Sequence, residues 1–513
     1  YMIDETKSGV AFYFAYGVFS SNPPVSSFTV SVGNNSGSAL DQFQRQSGAL
    51  NNNTVYAGQE VSIGTTTTFS LASGQSKALY FFRILQPDWD SAEAVAKLVR
   101  TKTASQWIQE SKQSWSDWFS QGKKPTTLTA DQENFYYNSL FLMKNSQNPQ
   151  LGTYVASFHP AYGFKVWARD GVFSALIMDE AGYYEEAGQY LKWMSTATLR
   201  SDGGFHTCYD WFSGAEVGFV EPQYDNDGAF LMAIYHHYVL TGDMNFVNSV
   251  YQQMQNIENF FLNNVGLYNM VFPDYSIWEE SSDPTTGQPL PTAYFTFTQS
   301  MGYAGLWSAS KMEEIRNNPS RSQQLLNRAN QIQTAVNTHL WIQGNDGQYY
   351  YARSIWSNDS TVDTRVDSAS LGAVFGGLAS EDRGKNQITK VVQNLTQQTN
   401  GIGRYWGDVF FYTGIYSPGG EEVYAATPPW GVVTMFTAWS ELTYGYDVSN
   451  RVEWMLEHAA PYGMAVGEAV DGVTGTFVMS SCPDLYEYAG VYIWTVLMKE
   501  GKANLPNPQT WAQ

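Results

Sequence analysis

The sequence predicts a mostly helical chain: an (α/α)6 toroid over residues 129–513, preceded by a β-sandwich over 1–88 and a helical linker over 89–128. Three observations carry this reading. β-branched and aromatic runs with Gly/Ser/Asn punctuation extend to about residue 86, and the hydrophobic spacing then switches to a helical period. From residue 129 onward, short turns alternate with long loops. A chain of 513 residues also exceeds one ordinary core, so at least two domains are expected.

In the first segment Val10–Phe19 is aromatic and β-branched, Ser27–Val32 alternates, and Thr65–Leu71 and Ala78–Leu85 follow. These strands are few for a self-contained sandwich, so strands upstream are expected to be missing. Tyr1 to Glu5 show neither a basic n-region nor an apolar h-region, and a chain that opens on Tyr is expected to be processed or trimmed. Asp90–Gln121 takes the helical spacing through Ala94, Leu98, Trp107, Trp115 and Trp118, and Gly122–Thr126 reads as a linker.

Twelve helices are expected near 130–146, 170–182, 183–199, 226–241, 243–265, 293–316, 321–342, 365–378, 384–399, 430–444, 447–460 and 484–500. Tight turns at Gly182, Thr241-Gly242, Asn317–Ser320, Ala379–Gly384 and Gly445–Asp447 join them into hairpins. Between hairpins lie the segments 147–169, 200–225, 266–292, 343–364, 400–429 and 461–483, and loops of that length are usually functional. Every second connection of antiparallel helices lies at the same end, so the long loops gather on one face. Six hairpins in a ring then give a funnel lined by those loops. An open helical solenoid is the alternative, and it would keep the first and last loops apart.

Composition narrows the function. Aromatic residues reach 16%, and many fall in the long polar loops, where flat rings suit sugar faces. The net charge of −20 repels phosphate backbones and anionic headgroups, so no nucleic acid and no membrane partner is expected. No apolar run is long enough to span a bilayer. Two cysteines, Cys208 and Cys482, are too few for a disulfide framework. Sparse Cys, low charge and abundant Ser/Thr/Asn/Gln point to an extracellular, secreted protein, whereas the sequons at Asn34, Asn52, Asn358 and Asn394 are triplets that arise often by chance. There is no H-E-x-x-H, C-x-x-C, G-x-S-x-G or glycine-rich phosphate loop, so neither metal nor cofactor is expected.

The loops hold carboxyls among rings. Inverting glycoside hydrolysis needs one protonated carboxyl and one carboxylate, about 6.5–9.5 Å apart, with a water between. In Pro273-Asp274-Tyr275-Ser276-Ile277-Trp278-Glu279-Glu280, adjacent glutamates should hinder each other's ionisation and the Trp should exclude water, which suits a general acid. An exposed acidic loop would show the same letters. Glu468, in Gly467-Glu468-Ala469, is the only carboxylate in the first part of the last long loop. A helix-capping or solvated Glu would read alike. Trp167-Ala168-Arg169-Asp170 offers a ring, a fork of donors and an acceptor for vicinal hydroxyls, or else a capped helix start. Glu221–Gly228, with Asp227, is dense in hydroxyl-binding groups or N-caps. Gly403-Arg404-Tyr405-Trp406 and Pro428-Pro429-Trp430 set another Arg among rings.

The ordered series Trp167–Asp170, Gln223–Gly228, Trp278–Glu280, Val366–Ser370, Gly403–Tyr405, Pro429-Trp430 and Gly467-Glu468 resembles the glucoamylase family, glycoside hydrolase family fifteen. The likeness spans roughly 130–500, and the strands and linker before it resemble the accessory β-sandwich of prokaryotic members. The resemblance implies an (α/α)6 barrel that removes glucose from non-reducing ends of α-glucans and releases the β-anomer. It implies Glu279 as general acid and Glu468 as general base, with Arg169, Asp170, Trp278, Glu280 and Arg404 around the terminal glucose. Ala469 stands where the family base is often followed by Gln, and Ala168 where many fungal members have Thr. Both departures leave substrate choice open.

The sequence-based expectation is therefore an exo-acting, inverting α-glucoside hydrolase whose partner is an α-glucan or α-glucoside. An α-1,6-glucan or isomaltose glucohydrolase, or a trehalase, is the runner-up. An inverting disaccharide phosphorylase and a non-catalytic glucan-binding protein are the alternatives of other classes. Oligomeric state is left open.

Overall fold

The computed structural model describes residues 4–7, 10–20, 28–33, 62–67, 70–76, 78–86, 88–159, 162–283, 286–408, 410, 413–416, 422–459, 467–475 and 485–511. Cys482, Asn34, Asn52, residues 68–69 of the expected third strand and residues 460–466 ahead of Glu468 lie outside them.

The chain divides into two compact units, Tyr1–Trp118 and Phe119–Gln513. In the first, β1 (Asp4–Lys7), β2 (Val10–Ser20) and β5 (Leu79–Gln86) form an antiparallel sheet in the order β1-β2-β5. β3 (Phe28–Gly33) pairs with β4 (Ser62–Thr67) from Phe28↔Thr67 to Gly33↔Ser62. Helix α1 (Trp89–Val99) starts where the Asp88 side chain accepts from Ser91 N–H at 2.8 Å, and α2 (Ala104–Gln121) follows.

Among the described residues, the second unit carries a helix overlapping each of the twelve expected spans. These helices are α3 (Ala130–Ser146), α4 (Ala168–Glu180), α5 (Tyr184–Met194), α6 (Asp225–Thr241), α7 (Met244–Asn263) and α8 (Thr296–Ile315). After them come α9 (Pro319–His339), α10 (Gly372–Phe375), α11 (Glu381–Leu395), α12 (Gly431–Thr443), α13 (Ser449–Glu457) and α14 (Val491–Lys499). Outer and inner helices alternate along the chain, and the sequence shows why. Outer α7 buries Phe246, Val247, Val250, Met254, Ile257 and Phe261 on one face, whereas inner α4 buries every residue from Ala168 to Glu180.

The inner set is α4, α6, α8, the segment Ser368–Phe375, α12 and the segment Leu485–Lys499. Each packs on the next, and the last packs back on α4. That closure makes an (α/α)6 toroid and rules out the open solenoid. Inner helices α6 and α8 touch backbone to backbone: a Cβ on Gly228 would stand 2.3 Å from the Met301 carbonyl oxygen. Only glycine fits there.

Two expectations need correction. Residues 365–378 are not one helix but a 3-10 turn, Ser368–Leu371, running into the four-residue α10. Asp367 caps that turn through Ala369 N–H, and Gly377 (φ +78) ends the segment. Nor are the long loops without structure. β6 (Lys165–Trp167), β7 (Cys208–Asp210) and β8 (Glu216–Val217) form one small sheet across two loops. β9 (Ala293–Phe295), β12 (Ser354–Trp356) and β13 (Val362–Asp363) form another, while β10 (Trp341–Gln343) pairs with β11 (Tyr349–Tyr351) and β14 (Thr413–Tyr416) with β15 (Glu422–Ala426). These sheets pin the loops at the N-terminal ends of the inner helices. Among the described residues, no helix is long and apolar enough to cross a membrane.

Candidate active site

The loop face gathers its polar residues at the first turns of the inner helices. Strand β6 delivers Trp167 to the start of α4, so Arg169 and Asp170 lie in the first helical turn, buried. The Arg169 guanidinium donates to Gln223 Oε1 at 2.7 Å, Asp225 Oδ2 at 3.3 Å and Glu279 Oε1 at 3.3 Å. Burial acts against its charge, but Asp225, Glu279 and Asp170 more than restore it.

Glu279 reaches this group through an unusual backbone. Ser276 and Glu279 both take left-handed conformations, with φ of 52° and 58°. Such residues cost about 1–3 kcal/mol each and cluster at functional sites. The twist sends adjacent side chains to different walls. Glu279 Oε1 accepts from Trp167 Nε1 at 2.9 Å, Gln223 Nε2 at 3.0 Å and Arg169 Nη2 at 3.3 Å. Glu280 turns instead to Arg353, whose Nη2 donates to Oε2 at 2.6 Å, and to the Tyr405 hydroxyl, which donates to Oε1.

The two carboxyls consequently differ. Burial pushes Glu279 above the ordinary range despite Arg169, Gln223 and Trp167. Glu280 is also desolvated, yet Arg353, Arg404 and Tyr405 hold it below that range. The expected mutual hindrance of the neighbours is therefore not the cause: separate partners set each one. With three donors already on Oε1, a proton carried by Glu279 belongs on Oε2. The side chain keeps 20% of its surface accessible, so that proton can be reached.

Behind Glu280 stands a rigid brace. Trp278 Nε1 donates to both Asp367 oxygens at 3.1 Å, and Arg353 Nε donates to Asp367 Oδ2 at 3.0 Å. Arg404 forms two bonds to Asp408, at 2.7 and 2.8 Å, and lies over the rings of Trp430 and Trp278 at 4.7 and 5.2 Å. Tyr405 is buried beneath the Arg353 guanidinium, 4.1 Å from its ring centre.

Glu468 approaches from the last loop. Trp430 pairs with Ala469 across an isolated bridge, and Gly431 N–H donates to the Glu468 carbonyl at 3.3 Å. This seats Glu468 against the first turn of α12, on the same face as Glu279. Glu468 is 8% exposed, and burial, reinforced by Glu487, pushes its carboxyl well above the ordinary range. Glu487 is within electrostatic reach of Asp170, Arg169, Glu279 and Arg404 as well. It links both glutamates to one chamber.

Of the residues expected here, Trp167, Arg169, Asp170, Trp278, Glu279, Glu280, Arg404, Tyr405, Trp430 and Glu468 come together. Asp227 does not. It is fully buried, and its Oδ1 accepts from Phe205 N–H at 2.9 Å. A helix advances about 100° per residue, so Asp225 faces Arg169 while Asp227, two positions on, points to another wall. Sequence reasoning missed Asp225, Arg353, Asp408 and Glu487 as site residues. Glu487 had a readable signal, since it is the lone carboxylate in the apolar run Leu485–Met498. Among the described residues, no three His, Cys, Asp or Glu side chains are grouped to hold a metal ion.

Known proteins share this architecture. No protein-family model matches the chain. A crystal structure of a bacterial glucoamylase complexed with acarbose superposes with a TM-score of 0.73 at 17% identity, covering 99% of this chain and 74% of that one. A glycosidase in complex with glucose gives 0.56 at 17%, covering 73% and 98%, and the Saccharomycopsis fibuligera glucoamylase gives 0.55 at 12%, covering 74% and 98%. In sequence, the chain is 25% identical over 290 residues to an uncharacterised glycosyl hydrolase of Methanocaldococcus jannaschii, covering 56% of this chain and 41% of that protein. By fold, the chain falls in the class of (α/α)6 toroids. Within that class it has the glucoamylase fold, in agreement with the motif series.

Proposed function

We propose that this protein hydrolyses α-glucosidic bonds at the non-reducing ends of α-glucans, releasing β-glucose with inversion. One observation carries the reading. Burial raises Glu279 above the ordinary range against three donors, and because all three bond Oε1, the proton it would give up lies on Oε2. The neighbouring Glu280 is held ionised by Arg353, so the pair separates into an acid and a fixed charge.

In the proposed reaction, Glu279 passes its proton to the glycosidic oxygen as the C1–O bond breaks. Glu468 takes a proton from a water that bonds to C1 on the opposite side. Positive charge developing on the sugar is met by the carboxylates around it. Arg169, Asp170, Glu280 and Arg404 would hold the hydroxyls of the terminal glucose, with Trp167, Trp278, Tyr405 and Trp430 walling it. At the mouth, Trp406 (60% exposed), Phe410 (44%), Phe158 (41%) and Phe219 (39%) offer rings for following sugars. An extracellular place of action belongs to the same proposal, because polymeric glucans are met there.

The charge balance favours water over phosphate as the attacking group. Arg169, Arg353 and Arg404 are each already bonded to carboxylates, and carboxyls outnumber them in the chamber. A phosphate dianion would meet repulsion beside Glu468 and Glu487. Proton NMR of the first-formed sugar from maltose, isomaltose and trehalose tests the reading. β-Glucose released without phosphate is the expected result. A first product of retained configuration, or turnover that requires phosphate, would sink it.

A further inference from the structure

The outer wall of the toroid carries a cleft that the hydrolytic scheme above does not use. Its volume is about 550 Å³, and it lies between the turn Leu267–Asn269 and the second half of α9. Helix α8 starts on the loop face, so α9, antiparallel to it, ends there. The cleft therefore opens at the same end of the toroid as the funnel, but outside the ring of inner helices.

Asn327, Asn330, Gln331, Thr334 and Thr338 line it from α9. Spacings of three and four residues put them on one helical face, and the stripe runs for about 16 Å at 1.5 Å per residue. All are exposed, while Leu325, Ile332 and Val336 on the other face are buried. The opposite rim is built to stay in place. Tyr268 (φ 56°) and Asn269 (φ 66°) both hold left-handed backbones. That conformation costs a tyrosine about 1–3 kcal/mol and recurs at ligand clamps. The buried Arg328 guanidinium secures the turn by donating to the carbonyls of Phe261 at 2.9 Å, of Asn269, and of Met270 at 3.1 Å. Held there, the Tyr268 ring stacks on the His339 ring, with centres 3.8 Å apart and planes 10° from parallel. Tyr268 still keeps 43% of its surface exposed.

Both walls lack fixed charge. No Asp, Glu, Lys or Arg occurs between Glu258 and Asp274, or between Arg328 and Asp346. An ionic ligand would find no fixed counter-charge in this lining. Amides and hydroxyls that donate and accept, beside an exposed ring, match a neutral polyol. Protein interfaces centre instead on apolar and aromatic anchors, and here amides and hydroxyls dominate. A merely solvated helix face would need neither the stacked rings nor the strained turn.

We propose that this cleft is a second carbohydrate-binding site: it holds a segment of a neutral α-glucan chain along α9, with the Tyr268 ring against a sugar face and the α9 amides on its hydroxyls. The inference rests on the hydrolytic reading for the identity of the glucan, and extends it. A polymer held here stays close to the loop face, so its free ends meet the funnel at a raised effective concentration. A disaccharide gains nothing from the cleft.

The test uses Tyr268→Ala and a second variant that leaves the turn untouched, Gln331→Glu with Thr334→Glu, which puts charge on exposed positions of the stripe. Migration in native gels with amylopectin, relative to gels without it, is read in a Glu279→Gln background, where the polymer is not consumed. Each cleft variant should need about fivefold more amylopectin for the same retardation, the order of one lost ring contact. With Glu279 in place, KM for amylopectin should rise by a similar factor, while kcat/KM for maltose holds. Retardation that neither variant alters overturns the proposal. So does sedimentation showing a dimer that Tyr268→Ala dissociates, because the cleft would then join two copies of the chain. If maltose and amylopectin both go unhydrolysed, the hydrolytic reading falls, and the retardation still decides the cleft. If maltose is hydrolysed and retardation ignores both variants, the cleft falls and that reading stands.

Discussion

Helices α4 and α6 each carry buried charge at both ends, and the two ends are built differently. At the loop end stand Arg169, Asp170 and Asp225 with Glu279, Glu468 and Glu487. At the turn end stand Asp179 and Glu180 of α4 with His236 and His237 of α6. There, His236 Nε2 meets Glu180 Oε1 at 2.8 Å and its Nδ1 lies 3.6 Å from Asp179 Oδ2, while His237 Nδ1 meets Asp179 Oδ1 at 2.8 Å. Lys123 and Asn504 complete the cluster on Glu180. Carboxylates at the last turn of a helix oppose its dipole, so cations must answer them, and here they do. Glu180 is desolvated yet held below the ordinary carboxylate range by His236. At the loop end, acids outnumber cations, and Asp170 is pushed up to about 7 by burial. A balanced cluster locks the ring. An unbalanced one holds protons ready to move.

The largest expected effect breaks the loop end alone. Glu279→Gln keeps the size and most of the hydrogen bonds but removes the transferable proton. Turnover should fall by about 10³-fold or more, within the range general acids contribute. Thermal stability should hold or rise, since a desolvated acid is replaced by a neutral amide. Steady-state kinetics and a melting curve on the same sample check both halves. A variant that keeps a tenth of wild-type turnover would remove Glu279 from the acid role.

The mirror-image substitution breaks the turn end. His236→Ala leaves Asp179 and Glu180 buried with less compensation, and opening a buried ion pair costs roughly 3 kcal/mol. Denaturant unfolding should show that loss, while kcat/KM of the folded fraction stays near wild type. Equal damage to kcat/KM would mean that the two clusters are coupled through α4 and α6.

The sequence revealed the two ends unequally. Helical spacing and the alternation of short turns with long loops were enough for the toroid, because apolar inner helices and one-faced outer ones leave distinct periods. The glutamates Glu279 and Glu468 were legible from motifs as candidates only. Their partners were not. Arg353 sits between β11 and β12, and nothing local shows that it will brace Glu280 and Asp367. Asp225 and Asp227 are equivalent as letters, and only helix phase separates them. The left-handed backbone of Glu279, which parts it from Glu280, has no signature in a Trp-Glu-Glu triplet. His236-His237 was read only as a dipeptide within a helix, although two histidines facing Asp179-Glu180 are the lock of the opposite end.

The smallest expected effect concerns that lock and is read from pH alone. Burial opposes the charge on His236, but its hydrogen bond to Glu180 and the charges of Asp179 and Glu180 outweigh burial and raise it from 6.5 to about 9. The folded chain thus holds this proton more tightly than the unfolded chain does. The stabilisation is complete below about pH 6.5, where both states are protonated, and is lost as the pH rises through about 9. The loss should amount to roughly 2 kcal/mol, less than a simple conversion of the shift, because Glu180 shares the same interaction. Unfolding by urea at pH 6 and pH 9.5 measures it, and His236→Ala should flatten the difference. A wild-type stability that rises across this window would show His236 to be neutral in the folded ring, and the turn end would then be as short of positive charge as the loop end.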